Sequence, residues 1–117
     1  MSDLNAALQE LCGRIGGVEA AVVLERTGIE VATWGEADFE AVAAELADLW
    51  KRASEAATVC ASGAPRMMSV ETPGRTWLLV PLGDDYLLGL AAGGSVPPGR
   101  VRFYAAEWVR AHREEFS

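Results

Sequence analysis

A chain of 117 residues, half of them apolar and with no low-complexity tract, can bury one core without disulfide or metal staples and is too apolar to stay disordered. Its formal charge of −7 argues against a nucleic-acid phosphate backbone or an anionic membrane surface as main partner. No apolar run approaches the roughly 18 residues of a membrane span, and no amino-terminal stretch joins a positive end to an apolar segment. The expectation is one domain over residues 1–117, cytoplasmic and without membrane insertion.

From Ser2 to Arg14 the pattern is helical, with Leu4, Ala7, Leu8, Leu11, Cys12 and the adjoining Ile15 on one stripe. Ser2 or Asp3 can cap this helix, and Gly16-Gly17 ends it. Val18 to Leu24 is nearly unbroken apolar sequence rich in β-branched residues, too short for a good helix, and is expected as a central strand. Glu25-Arg26-Thr27-Gly28 supplies a turn with glycine where a positive φ is needed. Ile29 to Trp34 then alternates, with Ile29, Val31 and Thr33 to one side and Glu30, Ala32 and Trp34 to the other, as in a strand with one side partly wet.

Asp38 to Ala61 is the longest helical run, capped by Asp38 and striped by Phe39, Val42, Ala43, Leu46, Trp50, Ala53, Ala57 and Cys60. Leu49, Ala47 and Ala56 flank that stripe, so at about 100° per residue the apolar arc covers roughly half the circumference. Glu40, Glu45, Asp48, Lys51, Arg52 and Glu55 fall on the opposite arc. Two readings of so wide an arc stand side by side: broad burial within one chain, or a helix that covers its own sheet and also meets a second copy. Tryptophan is enriched at interfaces, and of Trp34, Trp50, Trp77 and Trp108 it is Trp50 that lies within the wide arc.

Ser62-Gly63-Ala64-Pro65 stops the helix, and three strand-like runs follow: Arg66 to Thr72, Thr76 to Leu82, and Tyr86 to Ala92. Pro73-Gly74 suits the middle of a type II turn and Gly83-Asp84-Asp85 a second tight link, both too short for anything except antiparallel hairpins. The last two runs are apolar on both faces and belong in mid-sheet. The first, with Met67, Met68 and Val70 interrupted by Ser69 and Glu71, reads as an edge. Gly93-Gly94-Ser95 and Pro97-Pro98-Gly99 open a final helix striped by Val101, Tyr104, Ala105, Trp108, Val109 and His112.

Parts for catalysis are few. His112 stands near a helix end with no orienting partner in the pattern, and two thiols with one imidazole lack the spacing of a zinc site. Cys12 and Cys60 each fall on an apolar stripe and are expected as buried free thiols, with a disulfide as the alternative. Asp84-Asp85 fits a soluble hairpin tip better than a carboxylate pair. The glycine-rich stretch Gly93 to Gly99 lacks a Gly-Lys-Ser/Thr ending and has prolines where donors would be wanted, so it reads as a strand-to-helix joint. Arg66, Arg75, Arg100 and Arg102 are taken as scattered surface charge rather than a site for an acidic partner.

The run Gly17-Val18-Glu19-Ala20-Ala21-Val22-Val23-Leu24-Glu25-Arg26-Thr27-Gly28-Ile29-Glu30-Val31-Ala32, the alanine-rich helix after it and Tyr86-Leu87-Leu88-Gly89-Leu90 together resemble the Roadblock family, the dynein-light-chain-like relatives of the longin fold. The resemblance covers essentially the whole chain and implies an α+β fold, α-β-β-α-β-β-β-α, with a five-stranded antiparallel sheet between one long middle helix and two terminal helices. It also implies a homodimer paired through the middle helix and third strand, with Ala43, Leu46, Ala47, Trp50, Met67, Met68 and Val70 as candidate interface residues. Family members bind Ras-like small GTPases on the resulting helical platform, which implies a regulator or scaffold in a prokaryotic signalling system. The family has no fixed catalytic motif, so no enzyme, cofactor or metal is expected. Arg26, Arg52 and Arg75 are the arginines that could in principle enter a partner's site. The alternatives are an adaptor without a GTPase, and a small-molecule sensor using a cavity between sheet and helices.

Overall fold

The computed structural model describes residues 3–116. Three α-helices and five strands follow in the order α1 (Leu4–Ile15), β1 (Val18–Glu25), β2 (Glu30–Gly35), α2 (Phe39–Val59), β3 (Met68–Glu71), β4 (Arg75–Leu82), β5 (Tyr86–Gly93) and α3 (Pro98–His112), with a short 3-10 turn over Arg113–Phe116. Each helix start has a local cause. The Asp3 carboxylate accepts from the Ala6 N–H at 3.2 Å and Asp38 from the Ala41 N–H at 3.3 Å, each filling a donor the first turn leaves open. α3 has no side-chain cap and relies on proline in its first turn. Ser2, the other cap considered for α1, lies outside the described residues.

The strands form one antiparallel sheet in the order β2-β1-β5-β4-β3. The near-continuous apolar character of β1, β4 and β5 follows from this placement, because a strand covered on both faces has no side to spare for polar residues. Their alternate residues divide between two clusters. Ala21, Val23, Leu78, Val80, Leu82, Leu88 and Leu90 pack with α1 and α3, whereas Val22, Leu24, Leu79 and Leu87 pack with α2. Gly89 lies in mid-sheet beneath α2, where a Cβ would stand 2.9 Å from Leu46 Cδ1 and 3.2 Å from Val22 Cγ1. Its missing side chain is what lets α2 settle on the sheet.

Gly28 takes φ 103° and closes the β1–β2 turn, which an L side chain would strain. Three local expectations are corrected. The β3–β4 turn is not type II, since Gly74 has no positive φ; instead the Thr72 hydroxyl donates to the Arg75 carbonyl at 2.9 Å. Ile29 precedes β2, and the pairing slips between Val23 and Leu24, leaving Ile29 and Val31 exposed. Cys60 is exposed at the end of α2 rather than buried, and both cysteines are free.

Candidate protein-docking face

α2 is the only helix on its side of the sheet among the described residues, and only part of its wide arc is taken up by that sheet. Ala43, Leu46, Ala47 and Trp50 are all buried by the chain's own strands, Trp50 retaining only 4% of its exposure. Their area is spent on the sheet of their own chain, which leaves the neighbouring positions of α2 to offer apolar surface outward. Met67, the next candidate along the chain, packs on the α1/α3 side and not beneath α2. Met68 stays partly buried against the α2 cluster, and Val70, across β3–β4 from Trp77, is 38% exposed.

The free apolar surface of α2 lies beside the buried arc. Ala44 and Ala47 approach Gly28, and Lys51, Ser54, Glu55 and Thr58 share a cleft with Arg26, so that flank of the helix faces the β1–β2 turn. At about 100° per residue the other flank carries Val42, Leu49, Ala53, Ala56 and Cys60 and faces β3. Leu49 is 36% exposed there, and Phe39, Val42, Met68 and Trp77 connect the flank to the β3 edge through one half-buried cluster.

The two sheet edges also differ. At β2 the Thr33 N–H donates to Asn5 Oδ1 of α1 at 3.1 Å, so the neighbouring helix occupies part of that edge. β3 is four residues long and pairs only with β4 among the described residues. An exposed strand edge beside an apolar helix flank is the kind of surface on which proteins pair, and makes this side the candidate docking face.

The remaining singled-out residues are tethered or dispersed. Arg75 pairs with Glu19 at 3.0 Å, and Arg52 pairs with Asp48 one turn away on the open face at 3.1 Å. Arg26 Nη2 donates to the Gly83 carbonyl at 2.9 Å while its guanidinium lies 6.0 Å from the centre of the Trp50 ring. Arg100 donates to the carbonyls of Ile15 and Arg14 at the negative end of α1. Arg66 instead joins Arg110 and Arg113 around a cleft of about 630 Å³, a grouping that local spacing does not reveal because the segments are distant along the chain. His112 stacks on Trp108 at 4.2 Å with Nδ1 2.9 Å from the Trp108 carbonyl, so that nitrogen carries the hydrogen and the ring closes the helix end. Asp84 and Asp85 are exposed at the β4–β5 tip, and Gly93 to Val96 forms a turn against Gly17, a joint rather than a phosphate cradle. Burial pushes the Cys12 thiol up to about 12. No group of three or more His, Cys, Asp or Glu suited to a metal occurs among the described residues. The opening between β4, β5 and α3 holds only about 10 Å³, which removes that part of the sandwich from a sensor reading.

A five-stranded antiparallel sheet with one helix on one face and two on the other defines a roadblock- or longin-like α+β protein. The Roadblock/LC7 domain model matches residues 4–92, and the chain belongs to that family. Among solved structures, the Roadblock/LC7 domain from Streptomyces avermitilis has a TM-score of 0.91 at 21% identity, over 97% of this chain and 98% of that one. Myxococcus xanthus MglB gives 0.91 at 13% identity, over 98% and 95%. An MglB with a tetrameric arrangement gives 0.86 at 16% identity, over 93% and 84%. At these identities the likeness establishes the fold. Curated proteins gave no significant match.

Proposed function

We propose that the chain is a homodimeric regulator or scaffold for a Ras-like small GTPase in a prokaryotic signalling system, working in the cytoplasm as a single module over residues 1–117. The observation that carries this reading is the coincidence of two unsatisfied features on one side of the molecule. The apolar flank of α2 (Val42, Leu49, Ala53, Ala56) runs beside the open edge of β3 with Met68 and Val70. A second copy related by a two-fold axis would cover both at once, pairing β3 with β3 and α2 with α2. The solvent side of α2, with Ala41, Ala44, Glu45, Asp48 and Arg52, then becomes half of a two-helix platform. Membership of the Roadblock/LC7 family supports a small GTPase as the class of partner, and the tetrameric arrangement of a structurally similar MglB supports self-association.

Light scattering should give twice the chain mass for the native protein and the single-chain mass for Leu49→Asp combined with Val70→Asp, with an unchanged circular dichroism spectrum. A native protein that stays monomeric at high concentration removes the platform. Capture assays with GTP-loaded and GDP-loaded GTPases encoded nearby test the second half of the reading. Faster nucleotide turnover on binding identifies an activator, and binding with unchanged turnover a scaffold. Capture of neither nucleotide state leaves the adaptor without a GTPase.

A further inference from the structure

We infer that the cleft between the β1–β2 turn and the second half of α2 is a receptor for a carboxylate side chain presented by a protein partner. The cleft measures about 370 Å³ and is walled by Arg26, Trp50, Lys51, Ser54, Glu55 and Thr58. Trp50 is buried, yet its Nε1–H has no acceptor in the protein, and neither has Arg26 Nε. The two side chains lie against each other, with the guanidinium 6.0 Å from the ring centre, and both line the cleft, their unmatched nitrogens set just behind its surface. A buried donor without an acceptor is a standing cost, which an incoming oxygen relieves once the partly exposed Arg26 side chain turns to admit it.

The chemistry of the wall selects the ligand. The Ser54 and Thr58 hydroxyls already donate to the Trp50 and Ser54 carbonyls, so the hydrogens on offer come from Arg26, Trp50 and Lys51. No carboxylate among the described residues pairs with Arg26 or Lys51. Two cations and an indole N–H call for an anionic acceptor with two oxygens, and a planar guanidinium matches a planar carboxylate. Glu55 on the same wall and the chain's −7 charge oppose a dianion such as phosphate. Lys51, Glu55 and Thr58 are exposed on α2, so the cleft opens beside the helix face where a protein would sit and does not enclose a free metabolite. None of this depends on the partner being a GTPase.

The test is titration of the indole N–H resonances of the full chain by NMR, with the Trp50 signal assigned by its loss in Trp50→Phe. Capped glutamate (N-acetyl-glutamate N-methylamide) should shift that signal saturably with a Kd in the range of about 1 mM. Capped glutamine should leave it in place, and Arg26→Gln should weaken binding about tenfold while the other three indole signals keep their positions. Lys51→Gln, an exposed substitution, should weaken it by a smaller factor and serves if Arg26→Gln fails to fold. A Trp50 signal unmoved by capped glutamate, or moved equally by capped glutamine, overturns the assignment. Tighter binding of inorganic phosphate than of capped glutamate overturns it in favour of a free anion.

Discussion

The two faces of the sheet are finished to different degrees. On one face α1 and α3 lie side by side, the cluster beneath them is the larger, and its tryptophan is fully bonded: Trp108 Nε1 donates to the Ala7 carbonyl at 3.3 Å and the ring carries His112. On the other face α2 lies alone, its cluster is smaller, and Trp50, as deeply buried as Trp108, keeps an unmatched donor. Two helices complete a face within one chain, and one helix leaves area and hydrogen-bonding capacity over. The sheet therefore has a structural side and a side directed outward.

The contrast can be broken most forcefully on the closed face. Trp108→Ala should cost about 3–5 kcal/mol in denaturant unfolding, since it empties the contact between α1 and α3. Gly89→Ala should cost about 1–2 kcal/mol, because the added methyl pushes Leu46 and Val22 and lifts α2 from the sheet. Replacing each buried tryptophan by phenylalanine sharpens the comparison. Trp108→Phe loses a made hydrogen bond and should cost about 1 kcal/mol more than Trp50→Phe, which also removes an unmet donor. Equal losses at the two positions would mean that the faces do not differ in this way.

The smallest effect concerns the cysteines. At about pH 8 a thiol reagent should modify exposed Cys60 promptly and Cys12 only on unfolding. Because burial raises Cys12 from 9.0 to about 12, the folded state holds its proton where the unfolded state has lost it. The contribution is complete below pH 9 and declines as pH rises toward 12, so melting temperature should fall over that interval less steeply in Cys12→Ala.

Much of the fold was legible because burial on two faces leaves a direct mark. The unbroken apolar runs Val18–Leu24 and Tyr86–Ala92 announced central strands, and the polar interruptions at Ser69 and Glu71 an edge. The docking face was less legible, for a geometric reason. Periodicity gives the width of the apolar arc on α2 but not which part of it the sheet claims, so it offers Trp50 as an interface candidate and leaves Leu49 a flank. The stripe runs on through Cys60, but a helix of 21 residues is about 31 Å long, more than the roughly 26 Å of an eight-residue strand. Its last turn overshoots, and Val59 is left 86% exposed. The donors of Arg26 and Trp50 lie on separate elements, and no local spacing could have joined them.

The Asn5 amide on the Thr33 N–H has a consequence for how large an assembly can grow. A sheet with both margins bare can add subunits at either end and lengthen into a filament. Here α1 blocks growth at Thr33 on one margin while β3 is open on the other, so two copies joined through β3 would use up the open margin and end as a finite particle.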